Sequence, residues 1–466
     1  MEPKPRHAAH AARPSSQDPG DPSKAEEPRD FIETPGSQGS PDGTEPQDLQ
    51  DDLGGWEAPV FQETPVQGAY VRPVNTRDVR RAGGRSKSRK KAAASNGSSA
   101  VRSAKAHRRR RNPFGVAFRF LASLLAIAAL CVVVGGGALA ITEFRPRDVE
   151  TVQPQGSATE SVQAGSQISL LTWNIGYGGL PASATSFVDG GEGVRAQSQE
   201  SVRSSLSSAK SLIEEQSADI VLLQEVDRAS SRSCKIDQET FLSDPLEAAG
   251  YSCAFVQDYK VLYVPYPWPC LGEVDSGMVT ASRFAADSTE RIALPKDDSL
   301  VRDLVAPEPC YMVSRIPVEG SRRELVVANV RFSDRVSQEV QDKQTRDLAL
   351  FVKRESDKGN YVIAGGDFDQ NFSGTDVRYW GKEVSQVRST GVIDEGAFSE
   401  GSQFAMDPSV ATARSLNAPL ESPDVRFYVS DGFILSANVQ LDKVQTIDAG
   451  FQQSDHNPVR LEVTLK

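Results

Sequence analysis

Asp219 to Asp227 reads DIVLLQEVD, an apolar run of strand type that delivers a carboxylate, Glu225, at its end. Four more segments share this pattern: LLTWNIGYGG (Leu170 to Gly179), YVIAGGDFD (Tyr361 to Asp369), FYVSDGFILS (Phe427 to Ser436) and SDHNPV (Ser454 to Val459). They present Asn174, Asp367 with Asp369, Asp431, and Asp455 with His456. Carboxylates, an amide and an imidazole brought from strand ends to one place can hold a divalent cation and a phosphate. Oxygen donors of this kind suit Mg2+ or Mn2+ rather than zinc.

The remaining sequence is not one globule. Residues 1–112 are rich in Pro, Ser, Gly, Gln and charge and have almost no apolar clusters. Burial there cannot offset the entropy of ordering, so the expectation is a disordered region. Within it, residues 77–111 carry 14 Lys/Arg against one Asp and end in four arginines, Arg108 to Arg111. An apolar stretch over 116–142 follows, and its 23 residues from Phe120 to Thr142 hold no charge. At 1.5 Å per residue that run spans about 34 Å, enough for one transmembrane helix. The leader before it is far too long for a cleaved signal peptide, which favours an uncleaved signal anchor. The arginine cluster then predicts a cytoplasmic N-terminus, one pass through the cell membrane, and an extracellular C-terminal part.

Residues 143–466 carry 48 Asp/Glu against 31 Lys/Arg. So acidic a domain does not cling to nucleic acid through bulk electrostatics, and phosphate recognition must be local or metal-assisted. Cys234, Cys253, Cys270 and Cys310 follow the span, enough for two disulfides or four reduced thiols; Cys131 lies within it. No CxxC pair suggests zinc, and four histidines exclude a His-rich centre.

Residues 143–166, with Pro146, Pro154 and many Ser, Gln and Gly, read as a polar stalk before a domain over 167–466. Strand signals recur there: ISLLTW, DIVLLQ, YSCAFV, GMVTAS, ELVVANV, NYVIAGG, RFYVSDGFIL and PVRLEVTL. Helical spacing appears from Ala196 to Gln216 and from Arg335 to Ser356. The order predicts an α/β fold, a two-sheet β-sandwich flanked by helices. VPYPWPC (Val264 to Cys270) reads as a surface loop. There is no GxSxG elbow and no P-loop lysine, so the residues point to metal-assisted attack of water on a phosphoester without a covalent intermediate.

The five segments, in this order, resemble the endonuclease/exonuclease/phosphatase superfamily with the deoxyribonuclease I-like fold. The resemblance implies Mg2+-dependent phosphoester hydrolysis, with nucleic acid, a phospholipid headgroup or a small phosphoester as partner. It implies Glu225, Asp455 and Asn174 at the metal and Asp367 positioning the attacking water. It further implies Asp431 orienting His456, and His456 against the scissile phosphate. Two positions depart from the pattern. Asn329-Val330-Arg331 has Arg where His is usual, and Gly366-Asp367-Phe368-Asp369 has Asp where a phosphate-binding Asn is usual. Asn329, Arg331 and Asp369 are therefore expected at the substrate, with Arg331 and Asp369 joined as an ion pair. Arg331 can hold a phosphate oxygen but cannot act as a general acid. An anchored phosphoesterase is the expected function; a weak or inactive phosphate-binding domain of the same fold is the alternative.

Overall fold

The computed structural model describes residues 113–296, 305–334, 336–375 and 391–466. The expected disordered region, 1–112, lies outside them. A single helix, α1 (Pro113–Thr142), covers the apolar stretch, and Phe114–Thr142 is long and apolar enough to cross a membrane.

Two mixed sheets make up the remainder. The first runs β1 (Val149–Val152), β8 (Ser288–Ala293), β9 (Cys310–Glu319), β10 (Glu324–Arg331), β11 (Tyr361–Asp367), β15 (Asp431–Leu435), β12 (Gln403–Ala405), with β3 (Val162–Gln163) beside β9. The second runs β16 (Val439–Thr446), β17 (Val459–Leu465), β4 (Gln167–Asn174), β5 (Ile220–Asp227), β7 (Gly272–Ser282), β6 (Ser252–Val264), β2 (Gln155–Gly156). A two-stranded ribbon, β13 (Ala413–Arg414) and β14 (Phe427–Tyr428), completes the fold.

The central strands are apolar without alternation because both of their faces are covered. Leu170 and Leu222 meet Val327, Ile363 and Phe433 between the sheets. Leu171, Trp173 and Leu223 point the other way, onto Val202, Leu206, Ala209 and Ile213 of α2 (Gln199–Gln216). Val326, Ala328, Val362 and Ala364 likewise cover Leu348 and Val352 of α4 (Gln338–Asp357). Ser198 and Ser337 cap these two helices by accepting from Ser201 N–H and Val340 N–H. The expected α/β sandwich is thus the observed one. Sequence patterning missed α3 (Gln238–Ala248), whose apolar spacing is broken by Pro245.

Residues 143–166 differ from the expected stalk. β1 pairs with β8, β2 with β6 and β3 with β9, so a third of this polar stretch is strand laid on the two sheets. Edge strands need only one paired side and tolerate polar residues, which is why no apolar run announces them.

Glu355, near the end of α4, ties the helix to the first sheet. It accepts from Arg315 Nη2 at 2.8 Å and Nη1 at 3.0 Å, from Asn360 Nδ2 at 2.8 Å and from Lys358 Nζ at 2.8 Å. Burial pushes this carboxyl up, but those donors outweigh burial and hold it at about 2. The native state therefore binds fewer protons than the unfolded chain. The stabilisation is complete above about pH 5 and is lost as pH falls toward about 2. Glu355→Gln is predicted to cost on the order of 2–3 kcal/mol at neutral pH. In urea titrations the gap to the native chain should close on acidification. A gap independent of pH would show that the ionised carboxylate contributes nothing.

Candidate active site

The two sheets bring their strand ends together at one end of the sandwich. Asn174 closes β4, Arg331 closes β10, Asp367 closes β11 and Asp431 opens β15. Asp367 is the register partner of both Arg331 and Asp431, which fixes these three side by side. Glu225 arrives differently. The β5–β7 ladder shifts register between Leu223 and Val226, and Glu225 has φ +55°. In a regular pleat it would point with Leu223 toward the helices; this bulge re-aims it. Left-handed backbone is costly for a side chain of this size, and here the contacts of the carboxylate hold it.

Asn174 is buried at the centre. Its Nδ2 donates to Asp367 Oδ2 at 2.9 Å and to Glu225 Oε1 at 3.3 Å, while its Oδ1 accepts from Gly176 N–H at 3.0 Å. His456 sits on the loop before β17, fixed by Trp173 Nε1, which donates to its carbonyl at 2.9 Å. Its Nδ1 lies 2.9 Å from Asp431 Oδ2, and its Nε2 lies 3.8 Å from Asp367 Oδ2. Burial opposes charge on this imidazole, but Asp431 and Asp367 outweigh it and raise its pKa well above the usual histidine value. Burial likewise pushes Asp431 up. Asp455 is also pushed up, to about 6, by burial and by the nearby charge of Glu225, with His456 opposing.

Arg331 is not where the sequence suggested. Its Nη2 donates to Glu225 Oε1 at 2.9 Å and its Nη1 to Asp258 Oδ2 at 3.1 Å. Among the described residues no ion pair joins it to Asp369. Asp369 has φ +46°, donates its N–H to Asp367 Oδ1 at 3.0 Å and accepts from Gln341 Nε2 at 3.3 Å. Asn329 is also corrected. It is fully buried between the sheets, donating to Val279 O and accepting from Gln224 Nε2, and is spent on the fold rather than offered to a substrate.

Sequence reading missed Asp258 and Arg232. Asp258 is buried in the middle of β6, two residues beyond YSCAFV and at a register shift between Gln257 and Tyr259, so no strand end announces it. Arg232 donates to Asp227 at 2.9 Å, lies 3.7 Å from Glu225 Oε2 and stacks on Tyr177. Burial works against the Glu225 charge, yet Arg331 and Arg232 outweigh it and hold that carboxyl at about 2.

The donor chemistry fits a hard divalent cation. Glu225, Asp367 and Asp455 offer oxygen only, and burial, with the charge of Glu225 added, pushes Asp455 up, a cost that a cation would relieve. Arg331 already holds one oxygen of Glu225, so a cation there would share that ligand. Asp367, Asp431 and His456 also lie within 4.8 Å of one another. With His456 Nδ1 against Asp431, this trio is better described as an oriented imidazole than as a metal cage.

A double-mutant cycle tests the placement of Arg331. Arg331 and Asp258 should couple by about 1–3 kcal/mol in folding stability, whereas Arg331 and Asp369 should be additive within about 0.5 kcal/mol. The reverse ranking would return Arg331 to Asp369.

Comparison with known proteins gives one family match, Endonuclease/Exonuclease/phosphatase family, over residues 171–386. No curated protein matches the chain. Among solved structures the chain is similar to an endonuclease/exonuclease/phosphatase from Beutenbergia cavernae DSM 12333, at 17% identity over 64% of this chain and 72% of that one, TM-score 0.44. It is similar to an endonuclease/exonuclease/phosphatase from Bacteroides vulgatus at 13% identity, covering 65% and 100%, TM-score 0.41. The human Nocturnin catalytic domain with bound sulfate anion gives 14%, 66% and 97%, TM-score 0.40. The stretch of this chain that is similar to the endonuclease/exonuclease/phosphatase family model, residues 171–386, includes β5, β7, β10 and β11 of the two-sheet sandwich.

Proposed function

We propose that this chain is a membrane-anchored, Mg2+- or Mn2+-dependent phosphoesterase whose domain, 167–466 with the edge strands before it, works outside the cell. The observation that carries the reading is the buried His456–Asp431 pair, 2.9 Å apart, facing Asp367, which Asn174 links to Glu225. In this reading Glu225, Asp455 and Asn174 hold the cation, which when bound would polarise a phosphoryl oxygen and neutralise developing charge. Asp367 positions a water and takes its proton. Oxygen bonds to phosphorus as the ester P–O bond breaks, and the leaving oxygen takes up a proton. His456, positively charged and held by Asp431, contacts the phosphate, and Arg331 offers a guanidinium to the same anion. Asp369 borders the substrate side.

A second reading, a weakly active or inactive phosphate-binding domain, is favoured by the 2.9 Å contact of Arg331 with Glu225, which competes with a cation for that carboxylate.

Full-length chain in detergent, supplied with Mg2+, should hydrolyse at least one of DNA, RNA, a phosphodiester dye or phospholipid, and chelator should abolish it. His456→Ala should lower turnover about 10²–10⁴-fold, and Glu225→Gln should weaken the cation's stabilising effect on melting. No turnover of any substrate, or turnover indifferent to His456, removes the enzyme reading. For topology, protease added to intact cells should degrade residues after Thr142 and spare the basic segment 77–111; protection of the folded domain would reverse the orientation.

A further inference from the structure

We propose that the substrate is a phosphoester on the surface of the same bilayer that anchors the chain, namely a zwitterionic phospholipid headgroup. This rests on the anchored-phosphoesterase reading and names its substrate class. Three features at one end of the fold carry it.

The first is the length of the tether. Only Glu143 to Asp148 separate α1 from β1, a reach of about 20 Å when fully extended. A third of that is already tied down. Asp148 O accepts from Ala293 N–H at 2.8 Å, Arg147 O accepts from Arg291 Nη1 at 3.4 Å, and Arg147 N–H donates to Glu150 at 2.8 Å. The domain therefore sits close to whatever surface holds Thr142.

The second is where the tether joins. Val149 pairs with Ile292, Ala293 with Cys310, and Cys310 with Arg331. The chain enters β1 at the end of the sheet that carries Arg331, three strands away or about 14 Å. Arg291 joins the two regions directly, since it also donates to Glu308 O at 2.8 Å. Pro307 and Pro309, on either side of Glu308, line a shallow open cleft together with Arg331 and Asp258.

The third is the β6–β7 hairpin. Strands β5 and β6 run in the same direction, because both are antiparallel to β7. β5 stops at Asp227, level with Ser276 and Tyr259, while β6 continues to Val264, about 16 Å past the end that delivers Glu225. The hairpin tip carries Tyr266, 67% exposed, and Trp268, 88% exposed, with Leu262 and Tyr263 half exposed behind them. Phe187 meets the Tyr266 ring at 5.4 Å. Amphipathic rings of this kind settle at the headgroup level of a bilayer. The tip, the tether and the candidate site thus face the same way. A domain with 48 acidic against 31 basic residues after Thr142 gains no bulk attraction to nucleic acid or to anionic lipid, which favours zwitterionic headgroups. The step is hydrolysis: water adds to phosphorus, one ester P–O bond breaks, and the leaving oxygen is protonated.

The test uses full-length chain in phosphatidylcholine vesicles with Mg2+, alongside a soluble phosphodiester dye and a single-stranded oligonucleotide. Lipid phosphoester should be cleaved in preference to the others. Tyr266→Ala/Trp268→Ala, which alters exposed side chains only, should lower lipid turnover about tenfold and leave dye turnover unchanged. Brominated lipid should quench a component of the tryptophan emission that Trp268→Ala removes. Preferred cleavage of dye or oligonucleotide, equal loss on all substrates in the double variant, or emission unaffected by brominated lipid overturns the proposal. If nothing is hydrolysed, the phosphoesterase reading falls with it. Dye turnover without lipid turnover sinks this proposal alone.

Discussion

A buried amide bridge between the two sheets sets the position of everything above it. Gln224 Nε2 donates to Asn329 Oδ1 at 2.8 Å and to Thr172 Oγ1 at 3.1 Å, while Asn329 Nδ2 donates to Val279 O at 2.9 Å and Thr280 Oγ1 at 3.2 Å. Four strands, β4, β5, β7 and β10, are thereby locked in one relative register inside an otherwise apolar sandwich. Apolar contacts alone tolerate sliding; directional bonds in a low-dielectric interior do not, because each unmade one is costly. The bridge lies directly beneath the strand ends. One residue beyond Gln224 stands Glu225, and two beyond Asn329 stands Arg331.

That register explains the electrostatics of the site. Glu225 is aimed inward by a bulge and must be neutralised, since an isolated buried carboxylate is not tolerated. Arg331, Arg232 and Asn174 do this from three different elements. Arg331 in turn is held by Asp258, so the guanidinium is shared between a site carboxylate and a cleft wall. On the other side, His456 is held between Asp431 and Asp367, whose charges outweigh burial and raise its pKa. The result is a cluster of interleaved charges in which Arg331 lies between Glu225 and Asp258, and His456 between Asp431 and Asp367.

The edge strands give the fold a second constraint. Because β1, β2 and β3 are laid into the two sheets, the part of the chain that looks like a loose spacer is a short strap. Only residues 143–148 separate α1 from β1, so the apolar helix joins the first sheet through a short connection. The cysteines do not add to this rigidity. All five are free, and burial raises the thiols of Cys253 and Cys310 to about 12, so they serve as small apolar side chains.

Local patterning by itself determined the apolar helix over 116–142, the central strands, α2 and α4, and the segments that carry Asn174, Glu225, Asp367, Asp431, Asp455 and His456. Each of those is a run of side chains whose period and terminating residue are visible along the chain. What patterning could not determine depends on neighbours distant in sequence. The strap 143–166 has no apolar period because edge strands bury little. Asp258 and Arg232 look like ordinary surface charges until the sheet that holds β5, β7 and β6 packs against β10 and Arg331. The partner of Arg331 was misassigned for the same reason. Asp369 follows the neighbouring strand closely in sequence, but a left-handed turn at that residue and the reach of the guanidinium across to the second sheet send Arg331 to Glu225 and Asp258. Charge pairing is decided by distance in space, and only the packing of the two sheets sets those distances.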